Sequence, residues 1–158
     1  MANTCYNWIE IVGETKSIEK LRERLVAENE ADIREVTEPG LLVFSIESRW
    51  VAPVEWLEEI SREYSVNVEC ESEECGCDYW SKIGFKNGRK VFELDLTYLE
   101  GKYNSLDWND FIECEVMWRL DNDESLDEFI EQFDFCSDDE IAELKDIFKD
   151  HIIDNQND

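Results

Sequence analysis

The densest set of reactive side chains is the run Glu69-Cys70-Glu71-Ser72-Glu73-Glu74-Cys75-Gly76-Cys77-Asp78. Thiolates and carboxylates are both metal ligands, so Cys70, Cys75 and Cys77 with the acids around them form a candidate metal-binding patch. Against that, Cys75-x-Cys77 lacks the usual two-residue gap and no histidine lies near. Strand alternation also accounts for Cys70 as a small buried hydrophobe. Without a metal, Glu71, Glu73, Glu74 and Asp78 remain as an acidic docking patch. His151 is the only histidine and lies near the end of an acidic helix, where a cation is favourable. A nucleophile–histidine–acid unit would have to use it. Among 41 carboxylates, a single close pair says nothing about acid–base chemistry. There is no glycine-rich phosphate loop. The expectation is a protein without catalytic residues, cofactor or resident metal.

The other chemistry is electrostatic. The 158 residues carry 41 Asp/Glu against 15 Lys/Arg, a net charge of −26. Residues 121–158 hold 15 of the acids and only two lysines, Lys145 and Lys149. Such a chain repels duplex DNA and anionic membranes and attracts basic grooves or cations. Asp139, Glu143, Asp146 and Asp150 recur three or four residues apart on one predicted helix, and Asp127 and Glu131 do so on another. Helical neighbours at that spacing lie about 5–6 Å apart. Phosphates of one nucleic-acid strand repeat about every 3.4 Å of axis. A stiff row of carboxylates can therefore take the place of a phosphate backbone in a basic groove. The plain alternative is a solvated face. Lys82, Lys86, Arg89 and Lys90 cluster on a predicted hairpin, where cross-strand pairing with Glu93 and Asp95 is preferred to nucleic-acid contact. Of the six tryptophans, Trp8, Trp50, Trp56 and Trp80 are expected in packing, and Trp108, in a polar loop, at an interface.

These groups need a scaffold. A hydrophobic content of 42%, with six Trp and eight Phe, suffices for a packed core. Residues 7–12 alternate as a strand, with Ile9 and Ile11 on one side, and Gly13 ends it. Ser17 caps a helix to about residue 28, with Ile18, Leu21, Leu25 and Val26 facing the core. A short strand at 32–37, a Glu38-Pro39-Gly40 turn and a strand at 41–48 follow. Pro53 opens a helix buried through Val54, Leu57, Ile60 and Tyr64; Val66, Val68 and Cys70 mark another strand. That β-α-β-β-α-β order is a split βαβ, or ferredoxin-like, α+β sandwich with an antiparallel sheet.

Asn87-Gly88 signals a hairpin between strands at 80–86 and 89–98, with Phe92, Leu94, Leu96 and Tyr98 on one side and Glu93, Asp95 and Thr97 on the other. Residues 101–109 are predicted as a loop, and the alternation Ile112, Cys114, Val116, Trp118 predicts one more strand. Two helices follow, with apolar stripes Leu126, Phe129, Ile130, Phe133 and Ile141, Leu144, Phe148, Ile152. Ser125 with Glu128, and Ser137 with Glu140, are capping boxes. The expected organisation is a single domain, 1–158: a ferredoxin-like core (1–79), a hairpin and additional strand (80–120) and an acidic helical extension (121–158). Met1-Ala2-Asn3-Thr4 has no secretory character and no apolar run suits a membrane span, so the six cysteines are expected as reduced thiols in a cytoplasm.

Three motifs carry a family resemblance. Asn3-x-Cys5-x-Asn7 leads through an alternating strand to Gly13. Trp50-x-x-Pro53 opens a helix that ends near Ser61-x-x-Tyr64. A strand runs into Glu74-x-Gly76-x-Asp78-Tyr79. Over residues 1–85 the chain thereby resembles the YubB ferredoxin-like domain family of plasmids and phages. It departs in lacking the second proline that often follows Trp-x-x-Pro, and in placing Cys75 and Cys77 around Gly76. The acidic helices lie outside the resemblance, which implies a fold and a mobile-element setting but no activity. The expected function is an acidic mobile-element protein that binds a basic nucleic-acid-binding surface of a host defence enzyme. It would inhibit that enzyme by nucleic-acid mimicry, of anti-CRISPR or antirestriction type, with no direct contact to nucleic acid or membrane. Metal binding through Cys70, Cys75 and Cys77, and a non-catalytic interaction module, are the alternatives. The sequence sets no oligomeric state.

Overall fold

Alternation decides the first element. Cys5, Asn7, Ile9 and Ile11 face inward from strand β1 (Thr4–Val12), and the residues between them face out. The computed structural model describes residues 3–28, 31–33, 38–120 and 125–155. The other strands are β2 (Asp32–Ile33), β3 (Leu41–Arg49), β4 (Asn67–Glu74), β5 (Tyr79–Lys86) and β6 (Arg89–Leu96). They form one sheet in the order β2-β3-β1-β4-β5-β6, antiparallel throughout. The first four strands have the expected split-βαβ arrangement, and the β5–β6 hairpin extends it. Asn87 (φ 50°) and Gly88 (φ 72°) both take left-handed backbone, as a two-residue hairpin turn demands.

Helices α1 (Thr15–Glu28) and α2 (Val54–Tyr64) pack on one face of this sheet. Their buried stripes, Ile18, Leu21, Leu25 and Leu57, Ile60, meet Ile9, Ile11, Phe44, Val68, Ile83 and Phe85. Val26, expected in the stripe, is 65% exposed, because one residue past Leu25 the helix has turned about 100° away. The continuation of β2 expected over 34–37 lies outside the described residues.

The chain divides into two compact units, Met1–Tyr98 and Leu99–Asp158, where a single domain subdivided after 79 and after 120 is expected from the sequence. The second unit is helical among its described residues. The predicted loop at 101–109 is instead helix α3 (Tyr98–Ser105) and the start of α4 (Trp108–Phe111). The predicted strand is instead a π-helical turn (Ile112–Val116) running into α5 (Met117–Leu120). Period-two alternation misled there. The apolar residues buried are Phe111, Val116 and Leu120, four or five apart, which is the repeat of a widened helix. Helices α6 (Leu126–Glu131) and α7 (Asp138–Asn155) complete the unit. Phe111, Phe129, Phe133, Leu144 and Phe148 fill its core, with Phe129 5.1 Å from both Phe133 and Phe148 between ring centroids. No helix among the described residues is long and apolar enough to cross a membrane.

Candidate acidic interface

The carboxylates of α7 stand on a helix that is fixed at its start and along one side. Ser137 N–H donates to Glu140 Oε2 at 2.8 Å, and Glu140 N–H returns to Ser137 Oγ at 3.4 Å. This capping box satisfies amides that no helical carbonyl can reach. Glu140 also accepts the Tyr103 hydroxyl at 3.0 and 3.1 Å. These bonds, those from Ser137 foremost, hold its carboxyl below the ordinary glutamate range. Helix α6 begins the same way, with Ser125 Oγ donating to Glu128 Oε2 at 2.8 Å and Glu128 N–H to Ser125 Oγ at 3.3 Å. Leu144 and Phe148 are buried, while Ile152 ends the expected stripe exposed.

Asp139, Glu143, Asp146 and Asp150 are all exposed, as are Asp127 and Glu131 on α6. Two of the α7 acids are tethered. Asp146 Oδ1 meets Lys149 Nζ at 2.9 Å, an exposed pair that contributes under about 1 kcal/mol. Glu143 Oε2 accepts the Trp108 Nε1–H at 3.0 Å. Trp108 is not on a free loop as expected. It opens α4 half-buried, stacked on Phe111 at 5.9 Å and edge-on to Tyr103 at 6.4 Å. It is a strut that positions Glu143, because its ring supplies apolar area while its N–H needs an acceptor.

The acidic patch expected around residue 71 comes apart on the strand. Glu71 and Glu73 lie on the face of β4 away from α1 and α2, and Glu71 Oε1 accepts the Trp80 Nε1–H at 3.2 Å. Glu74 points to the opposite face and is 6% exposed. Its Oε1 accepts the Gly76 N–H at 3.0 Å and its Oε2 the Asn3 amide at 3.3 Å. Hydrogen bonds from Cys77 first, then Asn3 and Gly76, hold its carboxyl below the usual range. A docking role for Glu74 is thereby corrected, since strand alternation turned it inward. Asp78 stays exposed, but its Oδ1 accepts the Tyr98 N–H at 3.0 Å, and at φ 50° it closes the 3-10 turn Cys75–Cys77.

The three thiols do not converge either. Cys70 is fully buried with Sγ 3.3 Å from Ser72 Oγ, and burial pushes its thiol up to about 12. Cys75 and Cys77 are exposed on the turn. Among the described residues, no group of three or more His, Cys, Asp or Glu side chains is placed to hold a metal ion. The expected basic pairing differs too: Lys90 bonds Glu93 along its own strand, not across strands.

The resemblance motifs meet at one end of the sheet, which the sequence reasoning missed. Asn7 Nδ2 donates to Cys5 O (3.1 Å), Ile46 O (3.2 Å) and Ser48 Oγ (2.9 Å), and Asn7 Oδ1 accepts from Ser72 Oγ at 2.8 Å. Ser48 Oγ donates to Val51 O at 2.7 Å. The Tyr79 hydroxyl accepts the Ala52 N–H at 3.3 Å and lies 2.6 Å from Ser81 Oγ. Asn7, Ser72 and Ser81 are buried, so the Asn7–Ser72 and Asn7–Cys5 bonds are made at low dielectric and pin register. The signal available beforehand was small polar residues at inward strand positions. Burial raises the Cys5 and Cys70 thiols, so the network offers no ionised nucleophile.

A family model described as the ferredoxin-like domain in Api92-like protein matches residues 27–114. The match takes in the Trp50 and Glu74 motifs and β2 to β6, and it runs on to the π-helical turn. It meets the ferredoxin-like expectation over a span that begins and ends later than the expected 1–85. No curated protein and no solved structure matches the chain.

Proposed function

The chain belongs to the family of the ferredoxin-like domain in Api92-like protein, and from that premise we propose that it is a non-catalytic binding module whose helical unit occupies the basic nucleic-acid groove of another protein. The partner is a host defence enzyme, and inhibition follows from exclusion of its nucleic acid, in the manner of an anti-CRISPR or antirestriction protein acting in the host cytoplasm. One observation carries this reading. Exposed carboxylates recur along an 18-residue helix that its capping box and aromatic core hold in place. Eighteen residues span about 27 Å, the length of about eight phosphate repeats on one strand. Leu99–Asp158 holds 20 acidic against four basic side chains, so few cations interrupt the display. Asp127 and Glu131 continue it on α6, and Glu71 and Glu73 are a separate acidic site on the sheet unit.

The test is affinity capture from host lysate with wild type and with the fourfold variant Asp139→Asn, Glu143→Gln, Asp146→Asn, Asp150→Asn. A nucleic-acid-binding protein should bind wild type, release it steeply as salt rises, and lose it to competing duplex DNA or RNA. The variant should bind far more weakly with its helicity intact. Equal binding by the variant, or capture indifferent to salt, overturns the reading.

A further inference from the structure

The sheet ends on a strand with nothing beyond it among the described residues. β6 is the edge next to β5, and seven of its eight residues are exposed. Val91 is 57% exposed, Leu94 46% and Phe92 38%. The Phe92 ring lies over Gly84, where an added Cβ would come within 2.2 Å of it, so the strand is held firmly on its inner side. The opposite edge, β2, has only two residues. A long edge with exposed apolar side chains is a template for another strand.

Edges of this kind are commonly blocked by charge. Here the charge is sorted by sign. Arg89 and Lys90 begin the strand, and Glu93 and Asp95 lie towards its end. Laid parallel to a copy of itself, β6 sets like against like. Laid antiparallel, it sets the basic end of each copy beside the acidic end of the other, with Phe92, next to the β-bulge at Val91, at the centre. Opposite charges stabilise cross-strand pairs and like charges oppose them. The strand thus disfavours parallel pairing and permits a two-fold antiparallel one.

We propose that β6 is a self-association edge, at which a second copy of this chain adds its own β6 antiparallel across a two-fold axis. The interface is isologous, so each contact occurs twice. The Lys90–Glu93 ion pair of each strand then lies beside that of the other copy and extends into a four-charge network. The inference is independent of what the acidic helices bind.

Sedimentation velocity of the full chain tests it, in about 0.15 M salt, where a Debye length of about 8 Å screens the overall repulsion. Wild type should rise with concentration from 18.7 kDa towards twice that mass. Two reversals sharpen the test: Arg89→Glu with Lys90→Glu makes the edge acidic throughout, and Glu93→Lys with Asp95→Lys makes it basic throughout. Each alone should self-associate about tenfold more weakly or worse, and their equimolar mixture should recover the doubled mass. A wild type that stays at the single-chain mass through the micromolar range overturns the proposal without recourse to any variant. So does self-association undiminished in either reversal. A mixture that stays monomeric while both variants keep their far-ultraviolet spectra also overturns it.

Discussion

The two units solve the problem of excess charge differently. Met1–Tyr98 carries 21 acidic and 11 basic side chains, a net of −10 over 98 residues. Leu99–Asp158 carries 20 and four, a net of −16 over 60. The first builds its core mostly from Ile, Leu and Val between sheet and helices. The second builds its core around Phe111, Phe129, Phe133 and Phe148, with Tyr103, Trp108 and Phe135 packed against it. Aromatic side chains bury about 150–250 Å² each. A small unit with strong self-repulsion gains most from residues that remove that much surface apiece. A well-buried ion pair in it, Arg119–Glu115 at 3.0 Å, is local to a single turn. Charge is displayed most densely on the unit whose core is the more aromatic.

The comparison breaks most readily at Phe133, which is fully buried against Phe111 and Phe129. Phe133→Ala should cost about 3–5 kcal/mol, and hydrogen exchange should show α6 and α7 losing protection while β1, β3 and β4 keep theirs. Equal loss in both units would mean one cooperative core. Asn7→Ala is the converse case. It strands buried partners in the sheet and should cost about 2–3 kcal/mol, read by urea unfolding, with α7 amides little changed. Third is the fourfold α7 neutralisation. Removing like charges should stabilise the helical unit by up to about 1 kcal/mol at low salt. The gain should shrink as salt rises, because the Debye length falls to about 3 Å at 1 M.

The smallest effect concerns acid. Glu140 titrates lower in the folded chain, so its contribution is full above the unfolded glutamate pKa and is lost as pH falls through the folded one. Glu140→Gln keeps a side chain able to close the capping box but removes that titration. Its unfolding free energy should therefore fall less steeply than wild type below about pH 4.3. An unchanged acid limb would place the stabilising bonds elsewhere.

The sheet was legible because a half-buried strand repeats every two residues, and Ile9, Ile11, Val68 and Cys70 state that repeat openly. The hairpin was legible from Asn87-Gly88, and both acidic helix starts from Ser–Glu pairs. Residues 112–118 were not, since a π-helical turn has no pattern distinct from a brief alternation. Trp108 deceives for another reason: its polar neighbours suggest a loop, while its ring packs on Tyr103 and Phe111 and its N–H reaches Glu143, 35 positions away. Glu74 reads as surface on charge alone, although its even position beside Ser72 turns it inward. The row on α7 was visible as spacing, but what tethers Glu143 and Asp146 was not.

The indole of Trp108 gives its N–H to a carboxylate that any occupant of α7 would have to approach. Indole emission shifts in colour with the electric field along its ring, and an anion at hydrogen-bond range is a strong local source of that field. Only Trp118 shares the helical unit with it. With the remaining tryptophans replaced by phenylalanine, this residue becomes a built-in lamp: without any dye attached, its hue would tell an empty helix from a covered one.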